Sequence, residues 1–331
     1  MPTAFVTGAS GQDGALLTDL LLSKGYAVHG LVRRTSSPSL GRLAPFAAWR
    51  FRGQDPPYLR LWTGDLADER SLREALIKVQ PDEVYNLAAQ SDVRASFDIP
   101  EYTIDVTGAG AWRLFGAVRD CCPHARVYQA SSSEQFGDAH PPQGEETPFR
   151  PCSPYGAAKA LAHQGAVMFR QAYGLWISCG ILFNHESVLR GEEFVTRKVT
   201  RAIGRIKAGR QGKLRLGNLS ARRDWGWAPE YVRAMWTILQ GRRPDDFVVG
   251  SGESRTVGEF VEAAFARAGM DWRACVEIDE ALYRPREVDH LQADPTKARL
   301  EIGWKNEVGF DEIVRRMVEH DVALALTEDE G

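Results

Sequence analysis

The stretch Gly8-Ala9-Ser10-Gly11-Gln12-Asp13-Gly14 decides the fold predicted for this chain. It follows a short apolar run, Ala4–Thr7, and precedes Ala15–Ser23, which is apolar at helical spacing. Glycines at this GxxGxxG spacing allow a tight turn and let the backbone approach a pyrophosphate at a helix N-terminus. An ordinary glycine-rich turn is the alternative, but the order strand, turn, helix favours a dinucleotide site. The candidate cofactor residues in this stretch are Gly8, Gly11, Gln12, Asp13 and Gly14.

Strand and helix patterns alternate through the first half of the chain. Further strands are predicted at Tyr26–Val32, Leu59–Trp62, Glu83–Leu87, Val127–Ala130 and Trp176–Phe183. Helices are predicted between them at Ser71–Val79, Asp105–Arg119 and Tyr155–Tyr173. This alternation implies βαβ units and a parallel sheet with helices on both faces. We therefore predict an α/β, Rossmann-type doubly wound fold with a smaller, mixed α/β substrate-binding lobe.

The alternation weakens past about Phe183, which predicts two regions. A discontinuous Rossmann domain is expected over residues 1–182 and about 222–250. The second lobe is expected over residues 183–221 and about 251–326, and residues 327–331 are expected to form a frayed acidic tail.

The second half combines a basic stretch with two regular ones. Phe194–Arg223 is predicted to be irregular, and ten Lys or Arg residues within it face no acid of the same stretch. Asp224–Gln240 and Asp246–Gly250 are expected to return to the sheet. Thr256 is expected to cap a helix at Val257–Ala268.

Composition excludes several protein classes. The 331 residues are 44% hydrophobic and 26% charged, with a formal net charge of −3. These values are ordinary for a globular chain and argue against disorder and against a nucleic-acid partner. No apolar run approaches the ~20 residues of a membrane helix, and the N-terminus does not resemble a signal peptide. The five cysteines form no CxxC pair, so we expect reduced thiols, no metal site and a cytoplasmic protein.

The end of the second strand indicates which cofactor binds. NAD sites usually place an acid there, whereas this chain has Arg33-Arg34-Thr35-Ser36. Two guanidinium groups with neighbouring hydroxyls suit a 2′-phosphate, so we predict NADP(H) and treat two solvated arginines as the alternative. Asp65 and Leu66 follow the third strand, where the carboxylate could accept from the adenine amino group. Leu87 ends the predicted fourth strand and Ala89 lies just after it, where small residues let a cofactor pass closely.

Tyr155 and Lys159 form a YxxxK motif. On a helix, the i,i+4 spacing places both side chains on one face. A free tyrosine has a pKa near ~10, but a neighbouring ammonium and a cationic nicotinamide favour the phenolate. A surface Tyr and Lys would be the ordinary interpretation of YxxxK alone; combined with the glycine motif it predicts an acid/base pair.

Ser132 and Glu134 follow the fifth strand, at the edge where ligands bind in open α/β sheets. A serine there can hydrogen-bond the reacting oxygen. A simple dehydrogenase needs only Tyr, Lys and Ser, so Glu134 indicates a second acid/base able to move a proton at carbon. The alternative is a solvated loop glutamate.

These motifs resemble those of the extended short-chain dehydrogenase/reductases and, more narrowly, of the GDP-mannose 4,6-dehydratases. The resemblance runs from Ala4 to about Asp321. It is carried by Arg33-Arg34, Ser153–Lys159, Asn184–Ser187, Phe194–Lys198, Arg223–Gly226 and Arg284–Asp289.

The resemblance implies a redox-neutral reaction. Tyr155, assisted by Lys159 and Ser132, removes the sugar 4-hydroxyl proton while hydride moves from C4 to NADP⁺. Glu134 then takes the C5 proton and protonates the departing 6-hydroxyl, and hydride returns to C6. The product is a 4-keto-6-deoxy sugar nucleotide.

The resemblance also implies substrate contacts. Asn184 and Lys198 are expected at the diphosphate, and Ser91 is a further expected substrate residue. Arg223 and Arg284 are expected to hold phosphate oxygens and Glu287 the nucleotide ribose. Arg201, Lys207 and Arg210 are expected to form a solvated positive face.

Five positions depart from the family pattern. They are Asp92, Cys152, Val188, Leu189 and Trp227. Because several lie close in sequence to sugar-facing blocks, a GDP-manno-heptose is an alternative to GDP-mannose.

Two other functions are open. The same fold supports an NADPH-dependent C4 reductase or an epimerase, which would not need the carboxylate of Glu134. A non-catalytic nucleotide-sugar sensor would not need the four catalytic side chains. The resemblance further implies a homodimer or homotetramer, with Asp105–Arg119 and Tyr155–Tyr173 at a dimer interface and the Arg33–Ser37 loop joining dimers.

Overall fold

Seven parallel strands form the central sheet of the protein. The structure is a computed structural model that describes residues 2–34, 41–45 and 58–327. Three two-stranded sheets accompany the central sheet in the described residues, and the strands of all four sheets are β1 (Thr3–Thr7), β2 (Ala27–Val32), β3 (Tyr58–Thr63), β4 (Glu83–Asn86), β5 (Arg126–Ser132), β6 (Ile177–Leu182), β7 (Asn184–Glu186), β8 (Leu214–Leu216), β9 (Arg222–Arg223), β10 (Trp225–Trp227), β11 (Asp246–Val249), β12 (Arg255–Thr256) and β13 (Val276–Ile278). The large sheet has the order β11-β6-β5-β4-β1-β2-β3.

Helices pack on both faces of this sheet and in a separate core. They are α1 (Gln12–Ser23), α2 (Glu69–Val79), α3 (Val93–Asp98), α4 (Pro100–Thr103), α5 (Gly110–Cys121), α6 (Pro154–Tyr173), α7 (Val195–Lys207), α8 (Ala228–Leu239), α9 (Val257–Arg267), α10 (Trp272–Cys275), α11 (Thr296–Glu301) and α12 (Phe310–Thr327). A π-helical segment, Ile104–Ala109, joins α4 to α5. The fold is therefore the doubly wound α/β arrangement that the alternating pattern predicted.

The strand order reverses at β1, which creates the crevice where ligands bind in such sheets. Thr7 pairs with Leu31 of β2 on one side and with Asn86 of β4 on the other. The two loops that leave β1 and β4 therefore separate at this edge. The Thr7 hydroxyl donates to Asn86 Oδ1 at 2.7 Å and accepts from the Ala88 amide at 3.1 Å, which fixes both loops.

Buried apolar side chains form a core on each face of the sheet. One core packs α1 and α8 against the strands, and the other packs α2, α5 and α6. The central strands β1 and β6 are buried except for Thr3, as expected of parallel strands covered on both faces. A third core lies among α7, α9 and α12 and includes Trp225 and Trp227. The domain boundaries predicted from sequence stay predictions, and residues 328–331 of the tail lie outside the described residues.

The prediction of an irregular basic stretch at Phe194–Arg223 is wrong. Val195–Lys207 forms α7, an amphipathic helix whose apolar face enters the third core. Two arginines of α7 form ion pairs with acids outside the stretch. Arg197 pairs with Asp321 at 2.8 Å, and Arg201 pairs with Glu192 at 3.0 Å. The expected solvated face is therefore also wrong for Arg201, which is buried, whereas Lys207 and Arg210 are exposed.

Two expectations for the second half are confirmed. Asp246–Val249 returns to the sheet as β11 and pairs with β6. The Thr256 hydroxyl accepts from the Glu259 amide at 2.9 Å, and the Glu259 carboxylate accepts from the Thr256 amide, which completes a capping box for α9.

Candidate active site

A cleft of about 510 Å³ lies at the carboxyl ends of β1, β4, β5 and β6. It collects most of the site residues predicted from sequence. These are Gly8, Gly11, Gln12, Asp13, Gly14, Leu87, Ala89, Ser91, Ser132, Glu134, Tyr155, Lys159, Asn184, Lys198, Arg223, Arg284 and Glu287. The side chain of Leu66 instead packs in the core beside α5, so only its backbone could serve a ligand.

The glycine turn has no room for a side chain at Gly8 or Gly14. Gly8 has a φ of +67°, and a Cβ there would lie 2.8 Å from the Ala88 nitrogen. A Cβ on Gly14 would lie 2.3 Å from the Gly8 oxygen. Gly11 caps α1 and supplies no side-chain acceptor to the first amides of the helix. This cradle fits a pyrophosphate, which needs close backbone approach and free N–H donors.

A second cleft lies beside the first, at the ends of β2 and β3. Arg33, Arg34 and Asp65 line it together with Thr63 and Ser71. Arg33 donates to the Tyr102 hydroxyl at 2.8 Å, which fixes its direction. Two cations at this position fit a phosphate on the adenosine ribose. Thr35 and Ser36, the predicted hydroxyl partners, lie outside the described residues.

Tyr155 and Lys159 lie one turn apart at the start of α6. Ser153 caps this helix by accepting from the Gly156 amide at 3.0 Å. The Lys159 ammonium lies 5.7 Å from the centre of the Tyr155 ring and donates to the Ala130 oxygen at 2.8 Å. The spacing predicted from YxxxK is therefore confirmed, and the side chains line the cleft instead of lying on an outer surface.

In the protein without ligands, burial shifts the pKa values of both Tyr155 and Lys159. It raises the pKa of Tyr155 to about 12, with the Ser132 hydroxyl acting in the opposite direction. It lowers the pKa of Lys159 to about 8, with the charge of Asp13 opposing. The expected phenolate is therefore not produced by the Tyr–Lys pair itself, because desolvation disfavours the charged form of each group.

Glu134 presents a buried carboxylate to the cleft. The residue is 8% exposed, and its Oε2 has no hydrogen-bond partner among the described residues. Its backbone amide donates to the Ser132 hydroxyl at 3.3 Å, which ties the two predicted catalytic residues together at the end of β5. The solvated-loop alternative is wrong, since an unpaired buried carboxylate costs free energy that a loop residue would avoid.

An ion-pair cluster marks the far end of the cleft. Glu287 Oε1 accepts from Arg223 at 2.7 Å and from Arg284 at 2.9 Å. Arg223 is buried and also donates to the Val288 oxygen at 2.7 Å. Lys198 of α7 is half-buried, which lowers its pKa, with Asp279 opposing. Arg223 and Arg284 share one acid, and Lys198 lines the same cleft, so this part of the cleft suits a diphosphate.

Four of the five departures from the family pattern lie away from the cleft lining. The Cys152 thiol donates to Asp138 Oδ1 at 2.8 Å, and Trp227 packs in the third core. Val188 packs against that core and Leu189 against the first. Asp92 does line the cleft, where its carboxylate accepts from the Ala95 amide at 3.0 Å and caps α3. These departures have local structural roles.

The sequence reasoning missed His185, Arg190 and Arg42, which also line the cleft. His185 pairs with Asp13 at 2.9 Å, and the Arg190 guanidinium lies 3.6 Å from the centre of the Phe194 ring. His185 belongs to the Asn184–Ser187 block that carries the family resemblance, but the sequence analysis predicts only Asn184 of that block as a site residue. No sequence signal identified Arg42.

Among the residues that the structure describes, one group of side chains could hold a metal ion. Atoms of His163, Cys179 and Asp246 lie within 4.8 Å of one another. Arg170 already binds both oxygens of Asp246, at 2.7 and 3.1 Å, and His163 already contacts the Ser131 hydroxyl at 2.9 Å. The group is therefore an ion-pair network, and the expected lack of a metal stays a prediction.

Known proteins resemble this chain over nearly its full length. The sequence profile described as GDP-mannose 4,6 dehydratase matches residues 5–317. GDP-mannose 4,6 dehydratase 1 of Arabidopsis thaliana is 52% identical over 98% of this chain and 91% of its own. The human GDP-mannose 4,6 dehydratase is 46% identical over 98% and 92%.

Solved structures support the fold. DesIV, a dTDP-glucose 4,6-dehydratase from Streptomyces venezuelae solved with NAD, has a TM-score of 0.82 at 24% identity and covers 96% of each chain. RMD from Pseudomonas aeruginosa, solved with NADPH, has a TM-score of 0.79 at 22% identity, covering 98% of this chain and 100% of its own. Within the described residues, no helix is long and apolar enough to cross a membrane. The chain belongs to the GDP-mannose 4,6-dehydratase family, whose members are hydro-lyases.

Proposed function

We propose that this protein dehydrates GDP-mannose to GDP-4-keto-6-deoxymannose, using NADP as a recycled cofactor. The observation that carries the proposal is the buried, unpaired carboxylate of Glu134 beside Ser132 in the cleft that holds Tyr155 and Lys159. A dehydratase needs that extra acid/base, because a proton must leave carbon and another must reach the departing hydroxyl.

The cofactor residues proposed are the glycine turn, with Arg33 and Arg34 at the 2′-phosphate. The chemistry that a bound nicotinamide supplies is hydride transfer, out of C4 and back to C6. Asp65, Leu87 and Ala89 would line the adenosine and nicotinamide paths, and Leu66 could contribute only its backbone. The pair of arginines favours NADP over NAD, because guanidinium groups bind a phosphate dianion more strongly than a diol.

Tyr155 is the proposed base for the 4-hydroxyl. Its buried phenol has a raised pKa in the protein alone, so it would act as the base only after nearby positive charge, from Lys159 and an oxidised nicotinamide, has favoured loss of its own proton. Lys159 is held by the Ala130 oxygen, which keeps its ammonium beside the Tyr155 ring and stabilises negative charge developing there. The Ser132 hydroxyl supplies a hydrogen bond to the same reacting oxygen.

Glu134 is the proposed acid/base of the elimination. Oxidation at C4 makes the neighbouring C5–H acidic, and Glu134 takes that proton. The protonated carboxyl then gives a proton to the 6-hydroxyl, which leaves as water. Because Oε2 of Glu134 has no hydrogen-bond partner among the described residues, this oxygen is open to the substrate.

The substrate would extend from this centre towards the ion-pair cluster. Ser91 and Asn184 would lie near the sugar and diphosphate, with Lys198, Arg223 and Arg284 at the phosphates and Glu287 at the ribose. GDP-mannose is favoured over a GDP-manno-heptose because Cys152, Val188, Leu189 and Trp227 pack away from the cleft lining, leaving Asp92 as the departure that faces it.

A homo-oligomer is also proposed, as a homodimer or homotetramer. Leu161 and Tyr173 of α6 are 38% and 50% exposed, and such apolar surface suits a partner helix pair. The proposed Arg33–Ser37 contact between dimers falls largely outside the described residues. Light scattering of the purified protein distinguishes monomer, dimer and tetramer.

The experiment that tests the function is incubation with GDP-mannose and GDP-manno-heptose, followed by mass spectrometry and nicotinamide absorbance. A dehydratase yields a product lighter by one water with no net change in absorbance. Stoichiometric formation of NADPH from added NADP⁺ would instead assign a C4 oxidoreductase, which runs as a reductase on the corresponding ketone. A product of unchanged mass would assign an epimerase, and binding without product a sensor.

A further inference from the structure

Asp13 creates an electrostatic problem at the glycine turn. It is the second residue of α1 and lines the cleft. The first turn of a helix after such a glycine motif is where a pyrophosphate binds. An unpaired carboxylate there would repel the phosphates across a short distance. A cation must therefore neutralise Asp13 if this end of the helix is to hold a dinucleotide.

His185 is placed to be that cation. Its Nδ1 lies 2.7 Å from the main-chain oxygen of Phe183, and its Nε2 lies 2.9 Å from Asp13 Oδ2. A carbonyl and an ionised carboxylate can only accept hydrogen bonds, so both ring nitrogens must carry protons. Two acceptors facing the two nitrogens require the imidazolium form.

The surroundings hold the ring in this orientation. The His185 ring stacks on Tyr231, with centroids 4.5 Å apart and planes 21° from parallel. The Gln12 side-chain amide donates to Asp13 Oδ1 at 3.1 Å and to the main-chain oxygen of His185 at 3.2 Å. The Ser187 hydroxyl donates to Gln12 Oε1 at 2.8 Å. The carboxylate and the imidazole are therefore fixed from both sides.

The charges around the pair favour ionisation. Burial disfavours the cation and Arg190 opposes it, but Asp13 outweighs both and raises the pKa of His185. Burial also works against the Asp13 carboxylate, yet His185, helped by Gln12 and Arg190, lowers the pKa of Asp13 to about 2. The other titratable groups within electrostatic reach of Asp13 are Tyr128, Tyr155 and Lys159.

We propose that His185 is a positioning residue, an imidazolium that neutralises Asp13 so that the N-terminus of α1 can accept an anionic pyrophosphate. This role rests on the proposed use of a dinucleotide, but not on the dehydration chemistry. The pyrophosphate is common to NAD and NADP, so the role does not depend on which of them binds.

The binding experiment titrates NADP⁺ and NAD⁺ into the wild type, His185→Gln, Asp13→Asn and the double variant. Gln removes the cation and leaves the acid unpaired, so we expect the Kd of both dinucleotides to rise about tenfold or more. Removing the acid as well relieves the repulsion, so the double variant should bind more tightly than His185→Gln alone. Losses that simply add would overturn the proposal and leave His185 as a packing residue.

A spectroscopic experiment tests the charge without any ligand. In protein labelled with 15N-histidine, His185 should show two protonated ring nitrogens at pH 7, and Asp13→Asn should lower the pH at which the ring becomes neutral. A neutral ring in the wild type at pH 7 would refute the imidazolium assignment. This measurement decides the matter even if His185→Gln does not fold.

The matched control is His320→Gln. His320 also contacts an aspartate, with 3.1 Å between its Nδ1 and Asp321 Oδ1, but it lies on α12 away from the cleft lining. Its loss should leave both dinucleotide affinities unchanged. Equal weakening in the two variants would attribute the effect to general destabilisation and contradict the proposal.

Discussion

The ammonium of Lys159 donates a 2.8 Å hydrogen bond to the main-chain oxygen of Ala130. This contact joins the first turns of α6 to the strand that ends in Ser132, so the acid/base residues share one rigid support. It also keeps a charged group buried, because Lys159 is only 5% exposed in the wall of the cleft. The buried charge thus lowers the stability of the folded state and keeps the site preorganised.

Lys159→Met should make the protein more stable and inactive. Burial lowers the pKa of Lys159 from 10.5 to about 8, so at pH 7 the folded state holds a proton at a cost on the order of 1–3 kcal/mol. Between pH 8 and 10 the unfolded chain binds more protons than the folded one, so wild-type stability gains from rising pH. Urea unfolding at pH 7 and pH 9.5 should show the advantage of the variant shrinking at the higher pH. A variant less stable than wild type at pH 7 would show that the hydrogen bond outweighs desolvation.

Glu134→Gln should leave cofactor binding intact and lower product formation by about 10²–10⁴-fold, because an amide of the same shape cannot take the C5 proton. Rates of product formation measured by mass spectrometry check this. Glu146→Gln, an exposed glutamate on the following loop, is the control and should behave as wild type. Turnover near the wild-type level in Glu134→Gln would remove Glu134 from the mechanism.

Arg33→Ala with Arg34→Ala should weaken NADPH binding far more than NADH binding, by about tenfold or more, because only NADPH carries the 2′-phosphate. Fluorescence titration of both cofactors measures the difference. Arg60→Ala, an exposed arginine of β3, controls for lost surface charge. Equal weakening of both cofactors would argue against a 2′-phosphate role.

Arg284→Ala should raise the KM for the nucleotide sugar about tenfold while the Kd of the cofactor stays constant. Arg284 lines the cleft and holds Glu287 at 2.9 Å. Its neighbour Arg286 instead pairs with Asp138 and is the matched control. Initial-rate kinetics of both variants decide the matter, and an unchanged KM in Arg284→Ala would exclude it from substrate binding.

Local spacing made much of this site predictable. Gly8–Gly14 form a single turn, and Tyr155 and Lys159 are one helical turn apart. Their geometry therefore follows from the local sequence pattern. Strand ends follow from the alternation of strands and helices, which placed Ser132 and Glu134 at the correct edge.

Contacts between residues far apart in the chain cannot be predicted from a local sequence pattern. Arg197 meets Asp321 and His185 meets Asp13 across more than one hundred residues. Arg201 was assigned to solvent because its stretch holds no acid, but Glu192 lies just outside that stretch. The protonation of Tyr155 also depends on burial, which motif spacing does not give.

The most direct measurement follows a deuterium label placed at C4 of GDP-mannose. If hydride leaves C4 and returns within the same turnover, the product should lose one water and carry the label at C6, with nicotinamide absorbance unchanged at completion. A product that keeps deuterium at C4, or that loses it to the NADPH pool, would contradict a redox-neutral dehydration at this site.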